Sequence, residues 1–285
     1  MTISPECVEC IINQSAKVAN AIEADDILSN KLTSTVKNLS KEFSFDDTPP
    51  EIASYVYEEM ARIAKKKDLY DEVKEYSTQK ALSFVPLLQE KLTNSKDKLL
   101  TATKIAVAGN VIDLAAEVEF DLEDELEKIF HTQFAHNDFE LLKENLKKAQ
   151  SIVIIGDNVG EHIFDYMFIE TLNELYPNVE ITYMVRGNPI INDVTIKEAK
   201  EAGFDNICKL VDSGVNTPGF TYNRATKEAK ELFDNADLII SKGMGNYECM
   251  SPSHRGEICF LLKVKCSVVA SSLNKEVGDI ICKVV

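Results

Sequence analysis

Three short stretches of this 285-residue chain carry the side chains most able to do chemistry. Gly156-Asp157-Asn158-Val159-Gly160-Glu161 follows the apolar run SIVII, and Arg186-Gly187-Asn188-Pro189-Ile190-Ile191-Asn192-Asp193-Val194-Thr195 follows EITYMV. Lys242-Gly243-Met244-Gly245-Asn246-Tyr247-Glu248 follows DLIIS. If the three runs are strands of one parallel sheet, all three stretches open on the edge where such sheets bind ligands. They would bring the carboxylates of Asp157 and Asp193 to the amide oxygen of Asn158. Neighbouring carboxylates repel, and a bound cation relieves that repulsion. All-oxygen ligation predicts a hard divalent ion, Mg2+ or Mn2+ before Zn2+. Three protein ligands leave positions open for water and substrate, as a catalytic metal needs. Lys242 and Arg186 add positive charge, while Gly243 and Gly245 let backbone N–H groups approach an anion closely. Phosphate suits this combination, with Asn246 and Glu248 as candidates to hold substrate hydroxyls. Asp-Asn and Asn-Asp pairs also serve as plain turn and cap residues. Three polar clusters after three predicted strands weigh against that reading.

The elements that must position these side chains are legible from residue 151 onward. SIVII (151–155), EITYMV (180–185), NICKLV (206–211), DLIIS (237–241) and CSVVAS (266–271) read as strands, and 161–175, 195–202 and 223–233 as helices. Strand-helix alternation with near-continuous apolar strands predicts an α/β fold whose parallel sheet is covered on both faces. The part before 151 reads as helical. Ser4-Pro5-Glu6 is a helix start, with a capping hydroxyl, proline at the first helical position and an acid in the first turn. Ile52, Tyr55, Val56, Met60 and Ile63 recur at helical steps, as do Leu122, Leu126, Ile129 and Phe130. The organisation expected is a helical N-terminal domain over 1–100 and an α/β metal-binding catalytic domain over 101–285. The latter has a helical lead-in to 150 and a Rossmann-like sheet over 151–285. No flexible linker separates them, so the helical part should pack directly on the sheet.

Composition narrows the partners. Lys and Arg number 31 against 47 Asp and Glu, a net charge of −16. That field repels nucleic-acid phosphates and anionic membrane surfaces, so neither is an expected partner. It also means that a phosphorylated substrate needs concentrated local positive charge. No apolar run of membrane-spanning length occurs and MTISPECVEC lacks the features of a signal peptide, which predicts a cytoplasmic protein. The seven cysteines fit reduced thiols better than a disulfide framework. Only Cys7 and Cys10 have motif spacing, on one face near a helix N-terminus. With no second CxxC to complete a zinc site, core packing is the first reading for them. His131, His136, His162 and His254 show no metal-ligand spacing, and each reads as an exposed or satisfied histidine.

The blocks AGNVID (108–113), GDNVGEHIFD (156–165), VRGNPIINDVT (185–195), DSGVNTPG (212–219) and KGMGNYE (242–248) resemble the DUF89 family, whose members include metal-dependent damage-control phosphatases. The resemblance runs over most of the chain, and ECVEC with the short length is similar to the archaeal and bacterial branch. It implies a three-layer α/β/α sandwich with a helical N-terminal domain and hydrolysis of phosphate esters of small metabolites such as sugar phosphates. It implies metal ligation by Asp157, Asn158 and Asp193, with Co2+ or Ni2+ as further candidate ions, and Lys242 near the phosphate. It also makes Asn110 a pocket residue, in keeping with a Gly-Asn turn between apolar runs. Glu161 reads equally as complementing a helix dipole or as supporting the metal ligands from behind. Two rival functions fit parts of the sequence. A carboxyl methyltransferase using S-adenosylmethionine would place its cofactor on GDNVG, a loop lacking the fuller glycine pattern of such sites. A non-enzymatic metal or redox sensor would act through Cys7 and Cys10.

Overall fold

The computed structural model describes residues 1–109, 122–251 and 257–285, with side chains from 127 onward in the helix that begins at Leu122. Helices α1 (Pro5–Ala21), α2 (Asp26–Leu39) and α3 (Pro49–Ala64) form a unit with its own core, in which Val18, Leu32, Val36, Val56 and Met60 are fully buried. A reciprocal capping box starts α3, Thr48 with Glu51, and two prolines occupy its first turn. The start of α1 differs from expectation, because the Ser4 hydroxyl donates to Glu6 at 2.8 Å instead of capping the helix. Ile52, Val56 and Met60 of α3 point inward as the period predicts, whereas Tyr55 is 41% exposed and meets the ring of Phe43 edge-on.

Helices α4 (Asp71–Thr93), α5 (Lys98–Ala108) and α6 (Leu122–His131) lead to the sheet. It comprises β1 (His136–Asn137), β2 (Ser151–Ile155), β3 (Glu180–Val185), β4 (Lys209–Asp212), β5 (Leu238–Lys242), β6 (Ile258–Lys263) and β7 (Ile280–Val284). Between them run α7 (Phe139–Lys148), α8 (Glu161–Leu175), α9 (Ile196–Glu201), α10 (Lys227–Asn235), α11 (Gly243–Met250) and α12 (Ser267–Leu273). The strand order is β1-β7-β6-β5-β2-β3-β4, parallel from β6 to β4, with β7 antiparallel to β6. Period-2 alternation sends Ile152 and Ile154 of β2 to a face covered by α4, α5, α7 and α8, and Val153 and Ile155 to a face covered by α10, α11 and α12. The result is the three-layer α/β/α sandwich. Ala81, Leu88 and Leu92 of α4 and Ile105 of α5 belong to the sheet core, whereas Leu69 and Tyr70, just before α4, belong to the core of α1 to α3. Among the described residues no helix is long and apolar enough to cross a membrane.

Several expected elements shift. CSVVAS forms α12 rather than a strand, and the Cys266 thiol accepts the Val269 N–H at its start. The sheet positions it would have filled are taken by ICFLLK (β6) and IICKV (β7). The strand read at 206–211 is β4, beginning at Lys209 after a short 3-10 turn. Of the stretch 242–248, expected as a loop, Lys242 closes β5 and the rest lies in helix α11. The expected face at Leu122 and Leu126 lies outside the described side chains, although Ile129 is buried as expected.

A polar seam joins α4, α8 and α9. Lys74 reaches Asp68 at 2.8 Å and Glu198 at 3.7 Å, and His162 lies buried beside them. His162 Nδ1 accepts the Gly160 N–H at 3.0 Å, while its Nε2 has no hydrogen-bond partner among the described residues. Burial pushes this histidine down to about 4. Because the folded value lies below the unfolded one, the stability involved is complete above about pH 6.5 and is lost as pH falls toward the folded value. The expected loss is about 3 kcal/mol. Urea titrations of wild type and His162→Phe across this range should show a slope that the variant lacks.

Candidate active site

The chain steps from β2 outward to β3 and β4, then returns to lay β5 against the other side of β2. The crevice at this reversal is where open α/β sheets bind ligands. The loops after β2 and β3 are zipped together there. Asn158 and Asp193 form an antiparallel bridge, the Val159 N–H donates to Asn192 O at 2.8 Å, and the Val194 N–H donates to Asp157 O at 2.8 Å. The β3 loop turns at Ile191, whose φ of 46° is a left-handed conformation rare for a β-branched residue. Ile190, buried in the core of α1 to α3, holds that turn. Asp157, Asn158 and Asp193 are therefore neighbours, although the last two are 35 positions apart in sequence.

Asp157 and Asp193 are both buried, and the protein fixes one oxygen of each. Asn158 Nδ2 donates to Asp157 Oδ2 at 2.9 Å, and Arg186 Nε donates to Asp193 Oδ2 at 2.8 Å. Burial, with Glu161 and Asp193 adding repulsion, pushes the Asp157 carboxyl well above its ordinary range. Burial likewise raises Asp193 to about 6, against the opposing pull of Arg186. Arg186 is 1% exposed and is held inside the site, where its Nη2 also reaches Asn246 Oδ1 at 3.2 Å and lies 3.8 Å from Asp157 Oδ1. Its Nη1 is buried with no hydrogen-bond partner among the described residues.

Lys242 departs from its expected place near a phosphate. As the last residue of β5 it is 0% exposed, and its ammonium donates to Glu161 Oε1 at 2.5 Å, Asp165 Oδ1 at 2.5 Å and Ala106 O at 2.8 Å. All three protons are engaged, so Lys242 holds the carboxylates behind the site and has none left for a substrate. Asn246 departs in the same way. Its Nδ2 donates to Gly156 O and Lys242 O, and its Oδ1 accepts from Phe220 N and Arg186 Nη2, which completes its four bonds within the protein. It ties the ends of β2 and β5 together, and a hydroxyl could be held only by breaking one of those bonds.

The stretch after Lys242 performs its close approach as a helix. The first residue of α11, Gly243, has φ of 77°, and a Cβ there would collide with the Asp157 carboxylate. A Cβ on Gly245 would strike Pro218 O. Both glycines thus admit protein neighbours, and the first turn of α11 begins beside the Asp157 carboxylate. Glu248 lines the cleft above, its carboxyl raised by burial to about 7. Asn110 lies outside the described residues.

The crevice opens into a cleft of about 290 Å3 between the sheet edge and the helical unit. Asp157, Asn158 and Asp193 line it, together with Cys7, Cys10, Gln14, Tyr57 and Tyr70, none of which the sequence had placed at this edge. Cys10 is exposed on the wall, so core packing does not account for it. Only tertiary packing of α1, α3 and the segment just before α4 over the crevice brings these residues in. One signal was available for another missed residue: Glu161 and Asp165 are four apart on α8, and a buried acid pair on one helix face calls for a cation.

Within the site, four buried carboxylates (Asp157, Glu161, Asp165, Asp193) outnumber two buried basic groups (Arg186, Lys242), a deficit of two charges when all four are ionised. Asp157, Asn158 and Asp193 offer oxygen donors only, a set that fits a hard divalent cation in both charge and chemistry. Among the described residues no group of three or more His, Cys, Asp or Glu side chains is placed to hold a metal, and the third donor of this set is the Asn158 amide. The GDNVG loop does not form a cofactor cradle. A Cβ on Gly156 would meet the Tyr183 hydroxyl, and Gly160 packs against Ser77, so the protein fills the space beside both glycines.

The fold and site define a doubly wound α/β protein with an acidic switch-point crevice under a helical cover. The chain belongs to the damage-control phosphatase ARMT1-like domain family, which matches residues 3–281. It is 34% identical over 284 residues to a damage-control phosphatase of Pyrococcus horikoshii, covering 99% of this chain and 98% of that protein. A damage-control phosphatase of Archaeoglobus fulgidus is 31% identical over 291 aligned positions, covering 100% of both. The crystal structure of a DUF89 family protein from Pyrococcus horikoshii matches with a TM-score of 0.90 and 32% identity, over 100% of this chain and 99% of that one.

Proposed function

We propose that the protein is a metal-dependent phosphatase that hydrolyses phosphate monoesters of small metabolites, sugar phosphates among them. The observation that carries this reading is the deficit of two charges beside three oxygen donors at the switch point. Relatives named damage-control phosphatases over the full chain length support the phosphatase class. Asp157, Asn158 and Asp193 would hold Mg2+ or Mn2+, with Co2+ or Ni2+ as substitutes. When bound there, a divalent cation would supply Lewis acidity for phosphate-ester hydrolysis. Arg186 keeps Asp193 oriented and sets a buried positive charge behind the phosphoryl position. The N–H groups at the start of α11 stabilise negative charge on the equatorial oxygens as the transition state forms. Asp157 or Asp193 accepts the proton of the attacking water. Lys242 acts as a positioning residue through Glu161 and Asp165.

The test is release of inorganic phosphate from a hexose monophosphate panel by protein stripped with EDTA and then given Mg2+, Mn2+, Co2+ or Ni2+. Release is expected only in the reloaded samples. Absence of release with every metal, or undiminished release in EDTA, would overturn the proposal.

A further inference from the structure

The proposed reaction uses the floor of the cleft and leaves its helical wall unexplained. That wall carries one polar strip. Tyr57 Oη donates to Gln14 Oε1 at 3.1 Å and lies 3.5 Å from Tyr70 Oη, and Tyr57 is within electrostatic reach of Asp193. Because the Tyr57 hydroxyl occupies Oε1, the orientation of the Gln14 amide is set, and its NH2 is the end left for other partners. The partner this NH2 has is Cys10 Sγ at 3.9 Å, a weak acceptor for a group with two donors. Gln14 is half-buried on α1, at the cleft rather than in the core. Around the strip the lining includes the apolar side chains of Ile11, Ala53, Ile191 and Val268, with Glu6 and Lys17 also on the α1 side.

We propose that Gln14, set in place by Tyr57, reads the alcohol portion of the substrate, and that this alcohol presents a hydroxylated edge to Gln14 and an apolar C–H face to the wall around it. The inference rests on the phosphatase reading. A neutral amide donor discriminates for hydroxyls without adding charge, and the hydrophobic lining accepts the faces of a saturated ring. Cyclic sugars and polyols combine both surfaces, whereas an aryl leaving group offers no hydroxyl edge. The cleft, of about 290 Å3, has room for one such ring. Gln14 is thus a specificity-determining residue, and Tyr57 is a positioning residue acting through it.

The experiment compares kcat/KM for a hexose monophosphate with kcat/KM for p-nitrophenyl phosphate, in the full-length metal-loaded protein and in its Gln14→Met and Tyr57→Phe variants. Gln14→Met keeps the length of the side chain and removes its donors. The expected result is a fall of about tenfold in the hexose-to-aryl ratio, the size of one lost hydrogen bond between uncharged groups. Tyr57→Phe should shift the ratio in the same direction by less, mainly through KM. A ratio unchanged in both variants would overturn the proposal, as would equal losses on the two substrates, which would mark a purely structural role. Calorimetric binding of the same two phosphate esters gives the ratio without turnover. A wild-type protein that binds the hexose ester but releases no phosphate therefore sinks the phosphatase reading alone, and an unchanged binding ratio sinks the role of Gln14. A wild type that binds neither ester overturns both.

Discussion

Asp193→Asn is expected to reduce metal-dependent phosphate release by more than about a hundredfold, beyond the cost of losing a group that merely supports a metal ligand. Asparagine keeps the shape of the side chain and can still accept from Arg186 Nε, now at 2.8 Å from Asp193 Oδ2, so the loop should stay in place. What disappears is one of two ligand carboxylates. The deficit of two charges falls to one, and a divalent cation no longer balances the site. A second readout separates loss of metal from loss of fold. A bound ion raises the apparent stability of the wild type by about 3 kcal/mol at a concentration near a hundred times its Kd. Thermal unfolding with and without Mn2+ should show that increment in the wild type and lack it in the variant, with the apo forms unfolding at similar temperatures. Retained activity, or a retained Mn2+ increment, would refute the assignment of Asp193 as a ligand.

The expectation for Asp193 came from its place after a predicted strand, and this part of the sequence was easy to read. β2 and β3 are buried on both faces, so their residues form near-continuous apolar runs, interrupted in β3 by Thr182 after its exposed first residue, that end sharply at polar loops. Helix α8 spans 161–175, the range its pattern predicts. The end of the chain was harder, because CSVVAS and ICFLLK are both short, apolar and β-rich. Periodicity does not separate a buried strand from a short buried helix, and the thiol cap at Cys266 that starts α12 is a weak signal. The site shows the same division. Asp157, Asn158 and Asp193 lie at the ends of strands, where topology alone brings them together. Gln14, Tyr57 and Cys10 reach the cleft through the docking of α1 and α3, which no local pattern encodes. Lys242 was misplaced for a different reason. A lysine between a strand and a glycine pair looks like an anion-binding residue, and only the buried partners Glu161 and Asp165 reveal that it serves the protein's own carboxylates.

That reassignment leads to an expected result of its own. Lys242→Met preserves much of the buried volume and removes the charge, leaving Glu161 and Asp165 buried without their ammonium partner. Breaking one side of a buried ion pair costs about 3–5 kcal/mol. In a chain of this length that corresponds to a fall in Tm on the order of 10 °C. The loss should depend on pH. Burial already raises Asp165 to about 6, with Lys242 opposing the rise, so removing the lysine drives this carboxyl higher still. A carboxyl whose folded value exceeds its unfolded value is least costly in acid, where it is protonated in both states, and increasingly destabilising as pH rises toward the folded value. The gap between wild type and variant should therefore be small near pH 4 and widen to its full size at neutral pH. Adding Glu161→Gln and Asp165→Asn to Lys242→Met should recover much of the lost stability, because no buried charge is then left unpaired. A lysine that bound phosphate would give the opposite pattern, with an unchanged Tm, activity lost through substrate binding, and no rescue by the added amides. Thermal unfolding of the single and triple variants across this pH range distinguishes the two.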